Sequence, residues 1–302
     1  MVKPSGKKTV VKYLLDKYKR SVKLTCSAIN VHRSQWYYQI KNKDDSEVIK
    51  KLNEYAERLS TYGFDEYYWR IRKEGYKWNR KRVLRIYREM KLGLRRKRKR
   101  PFPAKECSPL EEQTQPNQVW SIDFMSDSLT DGRRLRVYNV LDDYNREALM
   151  TKVGISFPAQ RVTRLMDQLI EERGKPEYIR SDNGTEFTSN DFKAWAEYHE
   201  IKLIFIQPGK PTQNAYVERF NQAFRKGVLD AYLFNTIEDP QKQADIWTYD
   251  YNNHHPHKSL GRKTPRELWD DFVNSGKLSE FTTINKGDNN IKSNNLLNLE
   301  LS

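Results

Sequence analysis

The chain has 302 residues, a formal charge of +15 and two cysteines, Cys26 and Cys107. That length allows two or three domains with cores of their own, while so few cysteines exclude a disulfide framework and suit a reducing cytosol. No signal peptide and no apolar run of about 18 residues is present, so neither secretion nor membrane spanning is expected.

The charge is unevenly spread. Residues 1–105 hold 31 Lys+Arg against 10 Asp+Glu, and residues 106–302 hold 24 against 30. A basic part joined to a mildly acidic one suggests an electrostatic grip on nucleic acid attached to a part with other work.

Val10 to Tyr18 reads as a short amphipathic helix. Leu24 to Tyr38 then has the patterning of a helix, a turn at Asn30 and a second helix with polar residues leading, as in a helix-turn-helix. A plain helical hairpin fits the same residues. Residues 1–42 are therefore expected to form a helix-turn-helix-like region, and residues 43–105 a basic helical DNA-binding region. In the latter, Glu47–Leu59 is a helix, Asp65 is placed to cap a second helix closed by Gly75, and Asn79 to cap a third. In the third, Val83, Ile86, Tyr87 and Met90 share one face while Arg82, Arg85 and Arg88 line the other. The segment ends in the run Arg95, Arg96, Lys97, Arg98, Lys99 and Arg100, expected to contact phosphates together with the arginine face. Pro101 to Pro116 reads as a linker.

Residues 106–273 read as an α/β domain. Val119–Phe124, Leu135–Leu141 and Ala148–Val153 are strand-like, Arg161–Glu172 is helical, and Tyr178–Ser181 and Leu203–Ile206 are two more strands separated by a helix from Asn190 to His199. Strands in succession followed by alternating strands and helices describe a mixed five-stranded sheet with flanking helices. Helices follow around Glu218, over Gln241–Tyr251 and over Thr264–Phe272. Residues 274–302, rich in Asn, Ser and Lys, are expected to be disordered.

Three carboxylates stand out. Asp123 interrupts an apolar strand, where a lone charge is costly without partners. Asp182 ends another strand at a Gly-containing turn, and Glu218 lies on the helix that follows a Pro/Gly loop. The spacings are 59 and 36 residues. Phosphodiester transfer needs an activated oxygen nucleophile and charge stabilisation on the leaving oxygen; two Mg²⁺ ions roughly 3.5–4 Å apart supply both and prefer carboxylate oxygens. Convergence of these acids on divalent metal, with Mn²⁺ as a possible substitute, is the expectation. Arg225, two turns beyond Glu218, and Asn221, one turn beyond it, are expected to meet DNA phosphates. Asp182 could instead be a simple turn residue. Asp142 and Asp143 read as turn-capping acids, Glu186 as a lesser candidate for orienting the site, and His254, His255 and His257 as packing or DNA-contacting residues rather than zinc ligands.

The segments WSIDF, IRSDNGTEF, QPGKPTQNAYVERFNQAFR and YNNHHPHKSLGRKTPREL resemble the integrase core of bacterial insertion-sequence transposases, and more narrowly the second-frame product of elements encoding transposase in two overlapping frames. The resemblance spans Tyr62 to Trp269. It implies a ribonuclease-H-like fold, an Asp-Asp-Glu triad at Asp123, Asp182 and Glu218, Mg²⁺-dependent strand cleavage and strand transfer at element ends, and a homo-oligomer on DNA. It also implies a separate or fused first-frame partner and a cytoplasmic, nucleoid-associated location. At Asp65-Glu66-Tyr67 the chain departs from the basic residues usual in that family. A DNA-binding relic without chemistry and a nuclease that cuts without joining are the rival readings.

Overall fold

The computed structural model describes residues 4–38, 44–94, 110, 112–207 and 211–276. The run Arg95–Arg100, Cys107, most of the expected linker and the tail beyond residue 276 lie outside the described residues. The chain divides into two compact units, Met1–Glu47 and Val48–Ser302.

The first unit contains α1 (Pro4–Tyr18), α2 (Val22–Ala28) and α3 (Arg33–Tyr37) around a small core of Val11, Cys26 and Val31. Ser21 and His32 cap α2 and α3 by accepting from the N–H groups of Leu24 and Ser34. Asn30 makes the turn between them in the left-handed region, with φ of 54°; its short amide side chain tolerates that conformation better than most residues.

In the second unit, α4 (Ser46–Arg58), α5 (Phe64–Lys73) and α6 (Arg80–Glu89) pack through Val48, Leu52, Tyr55, Tyr67, Ile71, Val83, Ile86 and Tyr87. Asn79 caps α6, accepting from Lys81 N–H. The expected cap at Asp65 is displaced: α5 starts earlier, after Gly63, and Asp65 instead pairs with exposed Arg80 at 2.7 Å. Gly75 closes α5 with φ of 95°.

Five strands follow: β1 (Val119–Ser128), β2 (Arg134–Asp142), β3 (Ala148–Gly154), β4 (Tyr178–Ser181) and β5 (Lys202–Phe205). Their order is β3-β2-β1-β4-β5, with β1 antiparallel to β2 and parallel to β4. Between strands lie α7 (Ala159–Arg173), α8 (Thr185–Thr188) and α9 (Asn190–Tyr198), and after them α10 (Ala215–Phe224), α11 (Glu238–Asn253) and α12 (Pro265–Asn274). Side-chain alternation along the strands sorts two cores. Trp120, Ile122, Tyr138, Val140 and Ile179 face Val162, Met166, Phe187 and Phe192 from α7, α8 and α9. Met125, Leu135, Val137 and Val153 face Val217, Phe220, Phe224, Ala244 and Trp247 from α10 and α11. This mixed sheet, covered by helices on both faces, has the ribonuclease-H-like arrangement.

The helices α4–α6 and the sheet belong to one unit because specific polar contacts join them. Arg70 on α5, almost fully buried, donates to both carboxylate oxygens of Asp250 on α11 at 2.8 and 2.6 Å and to Glu66 at 2.7 Å. Trp247 donates to the Tyr62 hydroxyl at 3.2 Å, and Glu66 also meets the His255 ring at 2.9 Å. The acidic residues that replace the expected basic ones at 65–67 thus serve internal contacts.

Candidate active site

Strand parity places Asp123. On β1 it shares a face with Met125, the face covered by α10 and α11. Its cross-strand neighbour on β2 is Asn139, on that same face. The parallel ladder pairs Ser121 with Arg180, an offset of 59 residues. Carried two residues further, that offset brings Asp182, just past the end of β4, level with Asp123. The sequence spacing of these two acids is therefore the register of β1 against β4.

Asp182 is anchored by the turn it begins, its Oδ1 accepting from Gly184 N–H at 3.0 Å. A Cβ on Gly184 would stand 3.0 Å from that oxygen, so the turn leaves little room for a side chain there. Arg136 on β2 pairs with Glu186 on α8 and holds this turn against the sheet, its guanidinium over the Phe124 ring at 4.1 Å. Glu186 is thus occupied by an arginine, which holds its carboxyl below the usual range against the effect of burial.

Glu218 comes from α10. Val217, Phe220, Asn221 and Phe224 bury the inner face of that helix at helical spacing, and Glu218 flanks the face, half-buried. Among the described residues its carboxylate makes no hydrogen bond or ion pair. Burial raises its pKa.

Asp123 is held on both oxygens: Oδ1 accepts from Phe124 N–H at 2.9 Å, and Oδ2 from the Asn221 amide at 2.6 Å. Asn221 in turn accepts from Asn139 at 2.7 Å. Burial, followed by the negative charges of Asp182 and Glu218, pushes the Asp123 carboxyl up to about 6, while its two hydrogen bonds pull the other way. Asp123 therefore senses both of the other acids, and among the described residues none of the three has a Lys, Arg or His partner.

These donors fit a hard divalent cation, which takes carboxylate and amide oxygens. Two buried amide oxygens, Asn139 Oδ1 beside Asp123 and Asn214 Oδ1 at the start of α10, have no hydrogen-bond partner among the described residues. Among the described residues, however, no three Asp, Glu, His or Cys side chains are already closed into a ligand set.

Asn221, expected to face DNA, is buried and its amide is used within the fold. Arg225 starts a wide π-helical turn, Arg225–Leu229, and donates to Ser126 C=O at 2.8 Å, with Asp127 at 3.6 Å. It therefore sits at the rim of β1, partly exposed. On α6, Arg85 pairs with Glu89 at 2.9 Å, and Arg88 is exposed. Asp142 and Asp143 are buried structural acids: Asp142 accepts from Asn117 and Tyr144 N–H, and Asp143 from the Ser121 hydroxyl while pairing with Arg180. His257 packs against the rings of Tyr251 and His255, and burial holds it well below its usual pKa. Asn139 was missed from the sequence. An amide inside the run Val137–Leu141 carries the same signal that singles out Asp123, a polar group where only apolar ones are cheap.

Residues 113–211 match a family model described as an integrase core domain, and residues 199–265 match a second model of the same description. These matches and the fold identify an integrase core. The chain is 36% identical to a 31.7 kDa protein of insertion element IS407 from Burkholderia multivorans, over 84% of this chain and 92% of that protein. It is 33% identical to a 39.2 kDa protein of insertion element IS476 from Xanthomonas euvesicatoria, over 88% and 77%. It is 26% identical to the transposase InsD for insertion element IS2D of Escherichia coli K12, over 75% and 79%. The chain belongs to the family of insertion-element transposases with a retroviral-integrase-like core. Among solved structures, it is similar to a chain of the simian T-cell lymphotropic virus intasome complex with PP2A regulatory subunit B56 gamma, at TM-score 0.48 and 15% identity, covering 64% of this chain and 67% of that one.

Proposed function

We propose that the protein cuts DNA at the ends of its insertion element and joins them to target DNA. The observation that carries this reading is the β1–β4 register that brings Asp182 level with Asp123, where the charges of Asp182 and Glu218 both bear on Asp123 and, among the described residues, no cation of the protein pairs with any of the three. Asp123, Asp182 and Glu218 would hold two Mg²⁺ ions, or Mn²⁺ in their place. Bound there, the metal would supply Lewis acidity toward the attacking oxygen and the leaving 3′ oxygen.

The chain's own part is positioning. Asn221 and Phe124 N–H hold Asp123 as the fixed member of the set. The turn at Gly184, clamped through Glu186 and Arg136, holds Asp182. Glu218, with no partner among the described residues, is the acid that moves in. In the first step a water oxygen attacks the scissile phosphorus and the bond to the 3′ oxygen breaks. In the second, the freed 3′-OH attacks a target phosphodiester, forming one P–O bond and expelling the target's 3′ oxygen.

DNA would be gripped by residues 1–42 and 43–105, through Arg82, Arg85, Arg88 and Arg95–Arg100, with Arg225 at the rim of the acid face. A homo-oligomer assembled on the element ends, and a first-frame partner or fusion, complete the proposal. Among the described residues no helix is long and apolar enough to cross a membrane; the proposed location is the cytoplasm, on the nucleoid.

The test combines purified protein, labelled element ends, Mg²⁺ and target DNA. Joined products that disappear in Asp182→Asn support the reading. Cleavage without joining reduces it to a nuclease, and binding without chemistry overturns it.

A further inference from the structure

A cleft of about 520 Å³ lies away from the acid face, between α5 and the segment leading into α12. Trp69, Arg72 and Lys73 line one wall; Gly261, Arg262, Lys263, Glu267 and Asp271 line the other. Its carboxylates are already taken, Glu267 by Lys73 across the cleft and Asp271 by Lys263 at 2.6 Å. The charge left over belongs to two guanidinium groups. Among the described residues Arg72 has only a long hydrogen bond, 3.4 Å, to Tyr76 C=O. Arg262 has no carboxylate partner among the described residues and lies over the Trp69 ring at 5.1 Å.

The backbone that presents Arg262 is unusual. Gly261 and Arg262 are both left-handed, with φ of 62° and 73°, a conformation that a residue with a Cβ rarely adopts. It is maintained by Arg262 N–H donating to His257 C=O at 2.8 Å and His257 N–H donating to Lys263 C=O at 3.0 Å. A guanidinium over an indole face, on a left-handed backbone held by two hydrogen bonds, is presented to the cleft before any ligand arrives. Guanidinium groups so held match the oxygens of a phosphate in fork geometry.

The geometry points to a DNA-backbone phosphate site formed by Arg72 and Arg262 over Trp69, separate from the carboxylate face. Glu267 and Asp271, quenched by lysines, do not repel the phosphate, and the cleft joins the helical region to the end of the core. DNA bound at the acids and at this cleft together would span both. This rests on the DNA-processing reading above.

The test is binding of the full chain to labelled duplex DNA across a salt series, for the parent, Arg72→Gln, Arg262→Gln and the double variant. Each neutralised phosphate contributes about 0.9 to the slope of log K against log salt. The double variant should flatten the slope by about 0.9 if the two arginines share a phosphate, and by about 1.8 if each takes one. Arg262→Lys should keep the slope but weaken binding, because a point charge replaces the fork. Arg72 is exposed, so Arg72→Gln alone serves if the Arg262 variants fail to fold: it should flatten the slope by about 0.9 if each arginine takes its own phosphate, and weaken binding at an unchanged slope if they share one. Parent-like slope and affinity together in the folded glutamine variants overturn this site while the proposed function stands. A parent that binds no DNA overturns both. Inorganic phosphate bound by the parent and lost in the double variant, with DNA affinity and salt slope the same in both, would make the cleft a free-phosphate site and overturn the DNA assignment.

Discussion

Removing the Asp250 carboxylate with Asp250→Ala strips the buried Arg70 guanidinium of two of its hydrogen bonds, those of 2.8 and 2.6 Å. The Arg70 side chain is 2% exposed and that of Asp250 23%. Breaking one side of a buried pair costs about 3–5 kcal/mol, because an uncompensated charge is left behind. Glu66 still holds Nε, and Asp250 retains some contact with water, so the lower end applies, about 3 kcal/mol. At roughly 2 °C per kcal/mol for a chain of this size, Tm should fall by about 6 °C. The triple variant Arg70→Met/Asp250→Leu/Glu66→Gln should recover most of that loss, since neither Asp250 nor Glu66 is then left as an orphaned charge.

The pH dependence has a definite sign. Burial opposes ionisation of Asp250, but the hydrogen bonds and charge of Arg70 outweigh it and hold the carboxyl below its usual range. Its contribution is therefore complete above about pH 4 and lost as pH falls through the lowered native value. Urea unfolding followed by tryptophan fluorescence at pH 7, with Tm by circular dichroism, measures both effects. If Asp250→Ala lies within about 0.5 kcal/mol of the parent, the pair does not join α5 to α11 and the reasoning is wrong.

Other outcomes follow from the same contacts. Asn221→Ala should lower affinity for Mn²⁺ by about 10–100-fold, as loss of a residue that orients a ligand does, with DNA affinity unchanged within about twofold; a fall in DNA affinity alone would return Asn221 to the role of phosphate contact. Gly227→Ala would press a methyl into the Trp247 indole and should cost about 1–3 kcal/mol by overpacking, read from urea midpoints; an unchanged midpoint would mean that the π-helical turn yields freely. Burial, joined by the neighbouring acids Glu147 and Asp143, raises Asp142 to about 7. Its contribution is therefore greatest below about pH 4 and declines as pH rises toward 7. Asp142→Asn should flatten that part of the stability profile, and parallel profiles for the two proteins would contradict the shift.

The parts of the fold that local pattern controls were legible in the sequence. All five strands were found there, and β4 matched at both ends, because apolar runs bounded by turn residues specify strands directly. The spacing of Asp123 and Asp182 was visible too, although its meaning as a strand register needed the ladder. Asn221 was misread because one helical turn from Glu218 does not reveal which side of α10 meets the sheet. Arg225 was aligned with Glu218 on regular α-helical periodicity, whereas the helix widens into a π turn at that residue. The joint between Arg70 and Asp250, 180 residues apart in sequence, left no local signal. A buried arginine reads like any other charge on a helix until its partner is known.

The central claim is that Asp123, Asp182 and Glu218 together hold divalent metal. Titration of the full chain with Mn²⁺, followed by electron paramagnetic resonance of the free ion, tests it without relying on DNA or turnover. The parent should bind, Glu218→Gln should bind at least about tenfold more weakly, and Asp123→Asn should lose the site while remaining folded. Mn²⁺ bound by Asp123→Asn with the parent's affinity and stoichiometry would contradict the account.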